Sequence, residues 1–123
     1  MPILRVVTNL TARQVPVDFE TGLPRVIGAV MNKEIGKFWL ELVTDARMTL
    51  GGTRDPAAFI TVRSIGCVSA LETPNLTAKI TGFCAEKLKL PNDRIGIHYF
   101  DLEPHCIARA GLTMKEQFEK SKQ

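Results

Sequence analysis

The spacing of apolar positions changes period several times along the chain. Ile3 to Val7 (ILRVV) is a short β-branched run and predicts a strand. Val15-Pro16 predicts the opening of a helix, with proline tolerated in the first turn. Phe19, Leu23, Val26, Ile27 and Val30 then recur at helical spacing and bury one face. Pro24 interrupts this pattern. It lacks an N–H and crowds the carbonyl four residues back, so it predicts a kink or the end of an initial turn. Asn32-Lys33 ends the helix. Lys37 to Val43 (KFWLELV) predicts a second strand and Arg47 to Leu50 a short further one, before the loop from Gly51 to Pro56. Ala57 to Ser64 (AAFITVRS) predicts a long strand, with Phe59, Thr61 and Arg63 on one face and Ala58, Ile60 and Val62 on the other. A second helix follows, with Leu76, Ile80, Phe83, Cys84 and Leu88 on its apolar face. Two starts fit it: a capping box from Ser69 and Glu72, or Thr73-Pro74 as N-cap and first helical residue. Leu90 to Asp93 ends it, and Ile95 to Phe100 (IGIHYF) predicts another strand.

The order is β-α-β twice, an α+β chain of duplicated βαβ units. Lys37-Phe38 and Arg94-Ile95 stand at the same offset of 57 residues as Pro2 and Phe59, which puts the two halves in register. Right-handed crossovers make each strand pair parallel and place both helices on one face of a four-stranded sheet. The other face is left open. AAFITV and IGIHYF are apolar on both sides, so this face is expected to be a continuous apolar surface that another subunit covers.

With 123 residues, 45% of them hydrophobic, the chain suffices for one domain and not two. Residues 1–111 are expected to form it, with 112–123 as a tail. Thr113 with Glu116 is a further capping box, so Met114 to Lys122 reads either as a short helix or as a disordered end. The longest apolar stretch near the N-terminus, Val26 to Met31, is too short for a membrane span or a secretory core, so a soluble cytosolic protein without membrane insertion is expected. The net charge of +3 comes from Lys and Arg scattered without a run of three, which reads as a solvated surface and not a nucleic-acid footprint. Cys67, Cys84 and Cys106 form no CxxC pair, and with His98 and His105 they lack zinc-site spacing, so no metal and no cofactor are expected. Cys84 falls on the apolar side of its helix and reads as core.

Pro2 follows the initiator Met1, and a small second residue permits removal of the methionine. The new terminus is then a secondary amine. Burial and a nearby cation both lower the pKa of an amine. A neutral amine near pH 7 can take a proton from the carbon beside a carbonyl, or add to a carbonyl itself.

Met1-Pro2, Thr8-Asn9-Leu10, Val15-Pro16, Lys33, Gly51-Gly52 with Pro56, Ser64-Ile65-Gly66 and Asp93-Arg94 run from Met1 to about Gly111 without large gaps. Together they resemble the macrophage migration inhibitory factor and D-dopachrome tautomerase family. The resemblance implies the tautomerase fold, a homotrimer with active sites between subunits, and keto–enol tautomerase activity on small phenylpyruvate-like or dopachrome-like carboxylates. It implies Pro2 as the general base. It also implies Lys33 as the group that holds the substrate carboxylate and depresses the Pro2 pKa, and Ser64 with the Ile65 backbone as site lining that donates a hydrogen bond. On its own, Lys33 reads as a cation complementing a helix C-terminus. The resemblance further implies a cytokine-like protein, cytoplasmic with leaderless secretion, acting through a cell-surface receptor of the class II invariant chain type or chemokine receptors.

Three departures stand out. Where the migration inhibitory factor carries a tyrosine and an asparagine from the neighbouring subunit, this chain has Gly96 and His98, which implies a wider, less aromatic site. His98 reads equally as pocket lining or as an ordinary strand histidine. Lys37 falls where D-dopachrome tautomerase has a carboxylate-contacting arginine, and reads otherwise as a surface lysine. The family's CxxC segment is replaced by Ala57 to Ile60, so no thiol oxidoreductase activity is expected.

Overall fold

A computed structural model gives the fold of residues 1–122. Its main sheet contains β1 (Ile3–Thr8), β2 (Trp39–Val43), β3 (Ala58–Ser64) and β4 (Ile95–Asp101) in the spatial order β2-β1-β3-β4. β1 pairs parallel with β2 and β3 parallel with β4, as the two βαβ units predict, and the halves join through an antiparallel β1–β3 ladder. Helices α1 (Phe19–Met31) and α2 (Thr73–Leu88) lie side by side, with the rings of Phe19 and Phe83 5.8 Å apart. Phe19, Leu23 and Ile27 of α1, Leu76, Ile80 and Cys84 of α2, and Leu4, Val6, Ile60 and Val62 of the sheet are fully buried together. Each large side chain in this layer contributes about 1.5–3 kcal/mol. An exposed ion pair such as Arg5–Glu41, at 3.3 Å, contributes roughly 0–1 kcal/mol, so burial decides the fold.

The element boundaries depart from the sequence pattern for identifiable reasons. The first helix begins at Phe19 and not at Val15-Pro16, because Val15, preceding a proline, is held extended (φ −93°, ψ 123°). Pro24 lies inside α1, and the helix continues through it. The carbonyl of Glu20, deprived of its usual donor, lies in the exposed first turn, where water can satisfy it. Lys37 belongs to a 3₁₀ turn, Ile35–Lys37, so the second strand starts at Trp39. Arg47 to Leu50 is not a strand. Leu50 makes only an isolated bridge to Thr53 around Gly51 and Gly52, both at positive φ. Of the two starts for the second helix, Thr73-Pro74 is the helical one. Ser69 and Glu72 close the preceding turn, with Ser69 Oγ donating to the Glu72 carboxylate at 2.8 Å.

After β4 the chain forms a small hairpin, β5 (Ala108–Arg109) with β6 (Leu112–Thr113), and then α3 (Met114–Ser121). Of the two readings for Met114 to Lys122 the helical one holds over Met114–Ser121, and Thr113 caps it as the capping box predicts, accepting from Glu116 N at 3.1 Å. Met1, Ile107 and Met114 form a second, smaller apolar cluster at this end of the sheet.

The open face of the sheet is banded and not continuously apolar. Its three cross-strand rows are Trp39–Ile3–Arg63–Phe100, Glu41–Arg5–Thr61–His98 and Val43–Val7–Phe59–Gly96. A polar row thus separates two mainly apolar ones. Trp39, Phe59 and Phe100 are respectively 53%, 44% and 38% exposed.

Candidate active site

The beginning of β1, the end of α1 and the end of β3 meet at one corner of the molecule. α1 stops at Asn32, which takes the left-handed conformation (φ 55°) and turns the chain, and Lys33 N donates to the Gly28 carbonyl at 3.0 Å. Gly28 permits this close return, since a Cβ there would stand 2.7 Å from the Lys33 carbonyl oxygen. The Lys33 side chain then reaches across to the end of β3. Its Nζ donates to Ser64 Oγ at 3.1 Å and to the Ile65 carbonyl at 3.0 Å. Ser64 is fully buried, and Gly66 N, donating to Asp101 Oδ1 at 2.9 Å, holds the turn that presents Ile65.

Pro2 is buried at the head of β1, its carbonyl accepting from Trp39 N at 3.0 Å. Met1 is nearly buried against Ile107 and Met114, and its sulfur accepts from Trp39 Nε1 at 3.1 Å. Burial, then the charges of Lys33 and Lys37, push the terminal amine below its ordinary pKa, against a smaller opposing contribution from Cys67. Met1, Lys33 and Lys37 line a cleft of about 620 Å³ with Arg109, Met114, Gln117 and Phe118. Gln117 fixes α3 to the hairpin by donating to the carbonyls of Arg109 (2.8 Å) and Leu112 (3.2 Å).

Of the residues singled out from sequence, Pro2, Lys33, Lys37, Ser64 and Ile65 converge here. His98 does not: it is exposed on the open face of β4, its ring 4.2 Å from that of Phe100 and outside this chain's own cleft. Gly96 opens no space within the chain, because the Phe59 ring lies where a Cβ would stand, 2.8 Å from that position. Asn9 and Arg94, prominent in the sequence pattern, hold the loop between β2 and β3. Asn9 donates to the carbonyls of Arg54 and Asp55 and accepts from Ala57 N, while Arg94 donates to those of Leu50, Asp55 and Pro56. Sequence reasoning missed Arg109, Gln117 and Phe118. The only available signal was the i, i+4 spacing of Met114 and Phe118 after a capping box. Among the described residues, no three His, Cys, Asp or Glu side chains gather as metal ligands would.

A sequence model of one family, described as macrophage migration inhibitory factor (MIF), matches residues 1–115. The chain belongs to the macrophage migration inhibitory factor family. The MIF-like protein mif-2 of Caenorhabditis elegans is 40% identical over 120 residues, covering 98% of this chain and all of that protein. The D-dopachrome decarboxylase-B of Xenopus laevis is 30% identical over 115 residues, covering 93% of this chain and 98% of the relative. The structure of the migration inhibitory factor from Trichinella spiralis superposes with a TM-score of 0.87 at 30% identity, over 90% of this chain and 98% of that one. The tautomerase fold implied by the sequence resemblance is thus the observed one. Membership in the migration inhibitory factor family also gives the corner between β1, α1 and β3 its chemical interest, because Lys33, Ser64 and Ile65 meet there beside the chain terminus.

Proposed function

We propose that the protein, freed of Met1, is a cofactor-independent keto–enol tautomerase of the phenylpyruvate or dopachrome type, with Pro2 as the general base. The observation that carries this reading is the position of Lys33. It is tethered to Ser64 and Ile65 beside the chain terminus, where burial and the charges of Lys33 and Lys37 hold the Met1 amine below its ordinary pKa, and the same influences are expected to act on the Pro2 amine one residue further in. While Met1 is attached, the Pro2 nitrogen is an amide and cannot accept a proton. Its removal creates the amine and adds the space of the methionine side chain to the cleft, with Ile107 as new lining and more of Met114 uncovered. The neutral amine takes the proton from the carbon next to the substrate carbonyl. Negative charge gathers on the carbonyl oxygen in the field of Lys33, which also pairs with the carboxylate, and the Pro2 ammonium returns the proton to that oxygen. Lys37 adds positive charge to the cleft.

The exposed aromatic residues of the open face support a homotrimer in which a neighbouring subunit covers this face and brings its His98 to the site. A second reading, a released cytokine-type ligand with weak catalysis, is supported by relatives such as the mouse macrophage migration inhibitory factor, 28% identical over 113 residues. No helix among the described residues is long and apolar enough to cross a membrane. The deciding experiment combines intact mass with phenylpyruvate and dopachrome methyl ester turnover on one sample. Material lacking Met1 is expected to be active, and Pro2→Gly to lower the rate by about 10²-fold or more, the usual range for a general base. Inactivity of the Met1-free protein would leave receptor binding as the leading account.

A further inference from the structure

The cleft holds more positive charge than a single carboxylate uses. Lys33, Lys37 and Arg109 all line it, and among the described residues no carboxylate does. Among the described residues, none of the three has an acidic partner within 4 Å. Two of the ammonium hydrogens of Lys33 are directed to Ser64 and Ile65, which leaves one for a ligand. Lys37 and Arg109 are neighbours in this lining. Arg109 Nη1 donates to the carbonyl of Gly36, the residue before Lys37, at 3.3 Å, and its guanidinium lies 5.8 Å from the centre of the Trp39 ring. The backbone of Arg109 is fixed in turn by Gln117, so the guanidinium is presented from a braced hairpin. Met114 and Phe118 supply apolar lining to the same cleft.

We propose that this cleft selects a dianion: a 2-oxo acid carrying a second carboxylate on an aryl or alkyl arm. Lys33 takes the carboxylate next to the ketone, Met114 and Phe118 contact the arm, and Lys37 with Arg109 takes the distal carboxylate. Arg109 is the specificity-determining residue. Its planar fork can pair both carboxylate oxygens, whereas Lys37 offers a point charge. This assignment rests on the tautomerase reading for the orientation of the first carboxylate, and its test is separable from that reading.

Trp39 is the only tryptophan, and Arg109 packs against it, so its fluorescence reports occupancy. Met1-free protein is titrated with 3-phenylpropionate and 3-(4-carboxyphenyl)propionate, neither of which can tautomerise. The dianion is expected to bind about tenfold tighter, the factor that ~1.4 kcal/mol of charge pairing gives. Arg109→Gln should reduce this preference to below about threefold and Arg109→Lys should restore part of it, since a point charge replaces the fork. Lys37→Gln provides a second reduction that leaves the hairpin intact. Phenylpyruvate and its 4-carboxy derivative are compared in parallel by kcat/KM. Equal binding of the two propionates, or an undiminished preference in both Arg109→Gln and Lys37→Gln, overturns the proposal. Turnover of phenylpyruvate without a dianion preference would sink the dianion site and keep the tautomerase. A dianion preference in binding without turnover of either ketone would do the reverse.

Discussion

Lys33 reaches the site through the absence of a side chain five residues earlier, since only a glycine at 28 lets the chain fold back so closely after α1. Two readings of Lys33 are open from sequence, a helix-end cation and a substrate-binding group; the first matches its place in the fold, and the second is the role proposed for it. It follows the C-terminus of α1, and its ammonium points to Ser64 and Ile65. What sequence cannot show is the company it keeps, because Arg109 comes from a hairpin 76 positions later with no periodic signature. The cysteine pattern was more legible: Cys84 is fully buried in α2, and burial pushes its thiol up to about 12, the behaviour of a core residue. The charge of Lys33 has a measurable consequence. Lys33 favours the neutral form of the Met1 amine, and its charge is expected to act in the same direction on a Pro2 amine, so that a base there becomes competent as pH rises through its pKa. In Lys33→Ala this influence disappears and the amine titrates higher. The acid limb of kcat/KM for a carboxylate-free substrate such as dopachrome methyl ester should therefore move to higher pH. Lys37→Ala should move it the same way, because Lys37 lines the same cleft. An acid limb unmoved in both variants would remove the amine as the titrating base.

At the scale of elements, apolar periodicity located every long strand and both main helices, and the misses arose where local chemistry competed with it. Val15 and Pro24 show that one rule about proline acts unequally: it keeps Val15 extended, yet α1 tolerates the ring where Phe19, Leu23 and Ile27 anchor the helix in the core. The β5–β6 hairpin is too short for a period-2 signal, and Ala110 at its turn adopts positive φ without being glycine. For α3 the capping box was legible, but its packing against Met1 was not, because Met1 and Met114 are distant in sequence. The capping box also titrates. Hydrogen bonds from the Thr113 backbone and side chain lower the pKa of Glu116 below the ordinary carboxylate value. The cap therefore stabilises α3 above the ordinary Glu pKa, and this stabilisation is lost as pH falls through the lowered value. Backbone amides of residues 114 to 118 should exchange faster across that acidic window, while those of α1 and α2 hold. In Glu116→Gln this pH dependence should disappear. Equal acid sensitivity in wild type and Glu116→Gln would show that another group governs the fraying.

For the whole molecule, the duplicated βαβ pattern was sufficient to place both helices on one side of the sheet, and the open opposite side followed from it. The pattern overstated the apolarity of that side because it counted residues per strand, whereas registers assemble them into rows. Arg5, Glu41, Thr61 and His98 form one row, and the Arg5–Glu41 pair satisfies part of its charge within the chain. The flanking rows place Trp39 and Phe100 at one end and Phe59 at the other, with the Phe59 ring resting over Gly96. A banded surface of this kind suits a specific interface better than nonspecific association, because a partner must align its own polar row to avoid burying unpaired charge. The proposed homotrimer is the assembly expected to use it. Light scattering at tens of micromolar should give three times the chain mass. Phe59→Asp places a carboxylate in an apolar row without entering the core and should lower the mass to that of one chain, with native helical content retained. Tautomerase activity should fall with the mass, because the Lys33 cleft would lose the neighbouring subunit's His98. A wild-type protein that stays monomeric at these concentrations would mean that the aromatic rows remain in water and that the site is complete within a single chain.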